Sequence, residues 1–319
     1  MVAHILGAWM LVPTASAELL PAAVKQWKGT PGSNDHYYQA VAATDGILWK
    51  DAQAWAVAHG GYLATIASEG ENKFVFELDS LKYWGVGGPF GTGPFLGGAF
   101  TAKKPGWQWA NNEGGFAFTN WAPSQPDNPE DEKRLHFFSD GKSAKRQAVW
   151  DDLSATSKQY GFVVEFASPA KAAPETPANP ALDQLFAVRF SLFEAQGEIQ
   201  QSTDNHGSFR QKTLDDIQAT VAEIALGMSY LLQHPTDAQL PVTVPALFES
   251  TRTLLNRPID KNQKRPIWAM NDLKTALDEL QKLPGNAGGH RLPILQAIQK
   301  TATDIIASAN YFDDFPTKK

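Results

Sequence analysis

The stretch ASPAKAAPETPANP, residues 167–180, divides this chain more sharply than any other feature. Pro169, Pro174, Pro177 and Pro180 remove backbone donors and block both helix and strand ladder, so the segment reads as an extended, semi-rigid spacer. The composition changes across it. Of the ten tryptophans, eight precede it beyond the leader (Trp27, Trp49, Trp55, Trp84, Trp107, Trp109, Trp121, Trp150), with most of the glycine, and only Trp268 follows. A chain of 319 residues with 43% hydrophobic content can build two cores. The expected organisation is therefore a signal peptide at 1–17, one domain at 18–166, the linker at 167–180 and a second domain at 181–319, with few contacts crossing the spacer.

Beyond the spacer the hydrophobic period is helical. Leu214, Ile217, Val221, Ile224, Met228 and Leu231 alternate steps of three and four and share one stripe. Similar stripes run through Leu182, Leu185, Phe186 and Leu192, through Leu247, Phe248, Thr251, Leu254 and Leu255, through Leu273, Leu277 and Leu280, and through Leu295, Ile298, Ala302 and Ile305. Prolines 241, 245, 258 and 266 and the stretch PGNAGGHRLP supply the breaks. The outcome expected is an all-α helical bundle whose stripes pack on one another or on a second copy, so oligomerisation through this domain stays open. The bundle carries no paired Glu-x-x-His that would hold a metal.

Before the spacer, short β-rich segments (94–100, 106–110, 134–138, 148–150, 160–166) alternate with glycine- and asparagine-rich loops. Two helices are expected, at 49–59 and 68–78, the second with Ser68 as N-cap and Glu71 as its capping-box partner. This half is α+β.

Several functions are excluded or disfavoured. A net charge of −6 offers no general attraction to nucleic acid or an anionic membrane. Arg257, Lys261, Lys264 and Arg265, the one basic cluster, lie between prolines and read as a solvated loop. With no cysteine there is no disulfide, thiolate site or cysteine nucleophile. The glycine-rich GVGGPFG, 85–91, lacks the lysine of a phosphate loop, and there is neither H-E-x-x-H nor G-x-S-x-G, so no enzyme is expected. His136, between Leu135 and Phe137, reads as a structural histidine. The apolar run at 5–12 is too short to span a bilayer and precedes Ala15-Ser16-Ala17, a small-x-small pattern that signal peptidase accepts. A secreted or periplasmic product without a transmembrane segment is expected; the leader lacks lysine and arginine, and a buried N-terminal segment is the alternative.

One loop is too acidic to ignore. QPDNPEDE, 125–132, packs Asp127, Glu130, Asp131 and Glu132 between two prolines, a density that calls either for bulk water or for a cation.

Read in order, WKDAQAWAVAHGGYLATIASEGENKFVF (49–76), FLGGAF (95–100), WQWANNEGGFAFTNWAPSQPDNPEDE (107–132), VWDDL (149–153) and FVVEF (162–166) resemble the C-type lectin-like domain over residues 34–166. The likeness is greatest to bacterial secreted members that carry HYY, here 36–38, and LHFF, here 135–138. It implies an α+β C-type lectin-like domain and leaves the helical half without a family. The family's cysteines would fall at Ala56 and Val164 and at Arg134 and Ala155, both partners of each pair being replaced together.

The resemblance also implies a Ca2+ site built from Gln125 and Asp127 around a cis Pro126, from Glu132, and from Asp151 and Asp152 after Trp150. In the family that ion takes two sugar hydroxyls directly, so a glycan or glycoconjugate is the implied ligand. Gln-Pro-Asp resembles the galactose-preferring subset. Asp151 replaces the usual asparagine, and no glycine-flanked aromatic follows the tripeptide. The competing expectation is an interaction module that binds a protein partner, with calcium structural or absent.

Overall fold

A computed structural model describes residues 18–29, 32–78, 84–86, 91–101, 106–112, 115–128, 130–139, 147–202, 209–235 and 245–314; the expected leader lies outside them. β-branched and aromatic residues in YYQAVAATDGIL make Tyr37–Leu48 a long strand, β3, preceded by the short β1 (Leu19–Pro21) and β2 (Lys25–Gln26). Two helices follow, α1 (Trp49–Ala58) and α2 (Glu69–Glu77), with β4 (Tyr62–Leu63) between them. The remaining strands are β5 (Gly85–Val86), β6 (Gly91–Thr101), β7 (Gly106–Trp109), β8 (Glu132–Ser139), β9 (Val149–Ser154) and β10 (Lys158–Phe166). The sheet runs β1-β3-β10-β6-β8-β9, with β10 beside β6 in parallel and the other strand pairings antiparallel. All five β segments read from sequence lie within or overlap these strands.

Gly97 shows why FLGGAF needs its glycines. A Cβ there would come within 2.3 Å of the Leu63 carbonyl oxygen, because Gly97 N donates to Ala64 O at 2.9 Å and the two backbones nearly touch.

The capping box at α2 is only half formed. Ser68 Oγ accepts from Glu71 N at 3.2 Å, but Glu71 does not return the bond. Its Oε2 accepts from Ala67 N at 2.7 Å, and its Oε1 from Asn34 Nδ2 at 2.9 Å and from the Tyr38 hydroxyl. Glu165 joins the same buried network, meeting His36 Nδ1 at 2.6 Å and accepting from Thr65 N at 2.9 Å. Burial pushes both carboxyls upward, and a buried carboxylate goes where donors are densest.

Apolar packing and stacking replace the missing disulfides. Ala56 and Val164 are both buried in one cluster with Phe95, Phe162 and Trp49, while the Arg134 guanidinium sits 4.8 Å over the Trp49 ring and Ala155 is exposed. A second set of rings links Trp107 to Trp121 at 4.9 Å, Trp109 to Phe116 at 4.6 Å and Trp109 to Trp150 at 6.0 Å. Such contacts contribute about 0.5–1.5 kcal/mol each beyond their buried area.

The second half is an all-α bundle of α3 (Pro180–Gln200), α4 (Phe209–Gln233), α5 (Pro245–Leu255), α6 (Lys264–Lys282) and α7 (Arg291–Asp314). Asn179 Oδ1 caps α3 by accepting from Ala181 N at 3.0 Å, and Pro180 occupies the first turn, where no donor is needed. The stripes face inward: Ile217, Val221, Ile224, Met228 and Leu231 are buried, as are Leu273, Leu277, Leu280, Leu295, Ile298, Ala302 and Ile305. Of the basic cluster, Arg257, Lys261 and Lys264 are exposed, but Arg265 is not free: it donates to Glu198 Oε2 at 2.6 Å and lies 5.0 Å over the Trp268 ring.

The expectation of few contacts across the spacer does not hold. Arg189 of α3, fully buried, donates from Nη1 to Thr44 O at 2.9 Å, and its guanidinium sits 4.4 Å over Tyr160 of β10. Phe193 and Tyr160 rings lie 4.8 Å apart, and Ser229 of α4 donates to Glu18 at 2.8 Å. The spacer itself is docked, because Gln39 Nε2 donates to Ala173 O and Thr176 N to Pro21 O, each at 2.8 Å. An arginine inside a helical stripe cannot be paired from sequence; here it donates to the Thr44 carbonyl, in the part of β3 where the register with β10 is interrupted between Ala42 and Ile47.

Candidate metal and ligand site

The acidic loop is stitched to β9 before any ligand is considered. Trp150 N donates to Asn120 O at 2.9 Å and Ala122 N to Trp150 O at 2.8 Å, so the loop runs beside the strand. Trp150, buried against Trp121 and Phe118, locks that approach, and its Nε1 donates to Asn72 Oδ1 at 2.8 Å. Gln125 N donates to Ala122 O at 2.9 Å, the Gln125–Pro126 peptide is cis as the resemblance implies, and Glu132 N closes the turn on Asn128 O at 2.7 Å.

This frame brings Asp127, Glu132 and Asp152 together, with ligand oxygens all within 4.8 Å of one another. Asp152 is 1% exposed. Its Oδ1 accepts from Asp127 N at 3.2 Å and holds the loop, whereas its Oδ2 is buried without a hydrogen-bond partner. Gln125 Oε1 is likewise buried and unpartnered. Burial raises the Glu132 carboxyl, with further upward pushes from Asp152, Asp127 and Asp131; burial is also the first cause at Asp152. An unpartnered buried oxygen on one of three converging carboxylates, with a second on Gln125 two residues before Asp127, is the donor chemistry of a hard divalent cation, so the residues present fit calcium.

Asp151 is placed differently. Successive strand residues point to opposite faces, and Asp151 pairs across the sheet with His136 while Asp152 pairs with Leu135. Asp151 Oδ2 lies 3.8 Å from His136 Nε2, its Oδ1 accepts from Asp152 N at 2.9 Å, and it is not among the three converging residues. Burial, then Asp152, pushes its carboxyl up to about 7. His136 is wholly buried, and desolvation pushes it down to about 4. It therefore stays neutral, donating from Nδ1 to Phe137 O at 2.5 Å and leaving Nε2 bare toward Asp151. The sequence places His136 as structural but gives no sign that it backs Asp151; only strand register could have revealed that. Glu130 and Asp131 are exposed and outside the converging set.

A perlucin-like protein of Mytilus galloprovincialis is 27% identical to this chain over 145 residues, 45% of this chain and 80% of the relative. Residues 34–166 form a C-type lectin-like domain. The C-type lectin-like half is also similar to solved structures at a TM-score of 0.33. These include the cow CD23 carbohydrate-recognition domain with an oligosaccharide (17% identity, 42% of this chain, 89% of that one) and the mouse scavenger receptor C-type lectin domain (17%, 48% and 96%). A calcium-independent type II antifreeze protein matches equally, at 19% identity over 45% and 95%. No family model matches the chain. The whole is an α+β C-type lectin-like domain followed by a helical bundle, and no helix among the described residues is long and apolar enough to cross a membrane.

Proposed function

We propose that the chain is an exported, calcium-dependent carbohydrate-binding protein with no catalytic role. The observation that carries this reading is the convergence of Asp127, Glu132 and Asp152, with Asp152 Oδ2 left buried and without a hydrogen-bond partner. Gln125, Asp127, Glu132 and Asp152 would hold the ion. When bound, calcium supplies open positions for adjacent sugar hydroxyls. The chain's own residues present acceptor oxygens to those hydroxyls and hold the loop still through the Asp127 N to Asp152 Oδ1 bond. Units 18–166 and 181–319, joined at 167–180 and freed from a leader at 1–17, complete the proposal. A glycan-array screen in calcium and again in chelator tests it: binding lost on chelation is expected, and an array blank in both would remove it.

A second reading has one observation in its favour. Asp151 turns to His136 rather than to the converging carboxylates, which leaves fewer groups to meet a sugar and suits a loop braced by calcium for a protein partner. A calcium-dependent rise in melting temperature with no glycan hit would select it.

A further inference from the structure

The charge around the loop constrains what kind of glycan could settle there. Asp127, Glu132 and Asp152 converge, and one divalent ion leaves their cluster negative. Glu130 and Asp131, both exposed, extend that charge along the rim. Opposing cations are scarce: among the described residues no lysine or arginine forms an ion pair with Asp127, Glu132, Asp151 or Asp152, and His136, 3.8 Å from Asp151, is neutral. Lys133 follows the cluster, but Arg134 is committed to the Trp49 ring and to Lys133 O at 2.7 Å. Asp152 Oδ2 is buried without a hydrogen-bond partner, while Asp127, Glu130 and Asp131 are exposed, so an incoming group meets acceptors and negative charge at the surface.

We infer that the site selects sugars bearing a free, protonated amine over neutral sugars, and neutral sugars over uronic or sulfated ones. This rests on the sugar-binding reading above. A charge about 6 Å from one unneutralised carboxylate, in a dielectric between water and a protein surface, changes affinity roughly fivefold. Salt shrinks that factor because the rim is exposed.

The test is competition binding of galactosamine, galactose and galacturonate to the full chain in calcium, below the amine's pKa, at low and high salt. The amino sugar should bind about fivefold tighter than galactose, and galacturonate weaker still, with both gaps closing as salt rises. Glu130→Gln combined with Asp131→Asn should narrow the gaps while leaving galactose affinity and the calcium-induced melting shift in place. Equal affinities for all three sugars at low salt would overturn the charge inference and leave sugar binding standing. Absence of binding by every sugar removes both.

Discussion

At the scale of single residues, Asp152 carries two tasks at once. It anchors Asp127 through Oδ1 and offers a bare Oδ2 to the cluster. Calcium at a hundredfold excess over its Kd should stabilise the chain by about 2.7 kcal/mol, and Asp152→Ala should abolish the shift in a thermal melt while Glu130→Ala leaves most of it. Asp272 provides a test away from the loop. Burial, then Glu194 and Glu198, pushes its carboxyl up to about 7, so the folded state binds a proton that the unfolded chain has already released. Its stabilising effect is complete below the ordinary carboxyl range and is lost as pH rises through about 7. Asp272→Asn should therefore raise stability at alkaline pH by about 1 kcal/mol, screening included, with little effect in acid; urea melts across that range would show it. Neither residue announces this in sequence, since an Asp on a helix stripe or after a tryptophan reads the same whether buried or wet.

Among elements, the decisive contacts join pieces that are distant in sequence. Gly97 lets β6 pass against the backbone at Leu63, and Gly97→Ala would drive a Cβ into a carbonyl that cannot yield. The expected cost is about 3 kcal/mol, read from the denaturation midpoint with an unchanged slope. Helix α3 is pinned to β3 by Arg189, whose guanidinium burial pushes down to about 10. Arg189→Ala leaves the Thr44 carbonyl unpaired beside a cavity and should cost about 3–5 kcal/mol. Element existence was largely legible beforehand: α1, α2, the five bundle helices and the later strands follow from period and caps. The long β3 was missed because VAATDGIL mixes strand and turn formers, and its edge is set by pairing with β10 rather than by local preference.

For the whole molecule, the two halves share one interface instead of being held apart by an extended, semi-rigid spacer. Leu185, Phe186 and Phe193 of the bundle belong to the same buried cluster as Tyr38, Trp84 and Val163 of the lectin-like half. Proteolysis within 167–180 should therefore leave two fragments that co-elute, and the full chain should unfold in one calorimetric transition. Arg189→Ala should split that transition in two; separate transitions in the unaltered protein would contradict the shared core. The sequence by itself determined the partition into an α+β half and a helical half, because periodicity and turn residues are local. The lectin-like character of the first half and the oxygen-rich candidates Gln125, Asp127, Glu132, Asp151 and Asp152 came from its resemblance to the C-type lectin-like domain. Tertiary structure alone decided that three of those carboxylates converge while Asp151 turns to His136, that Glu71 leaves its helix cap for Tyr38, and that Arg189 closes the two halves together. Each of those outcomes depends on strand register and on which buried polar atoms find partners, and both are properties of residues brought together across tens to hundreds of positions.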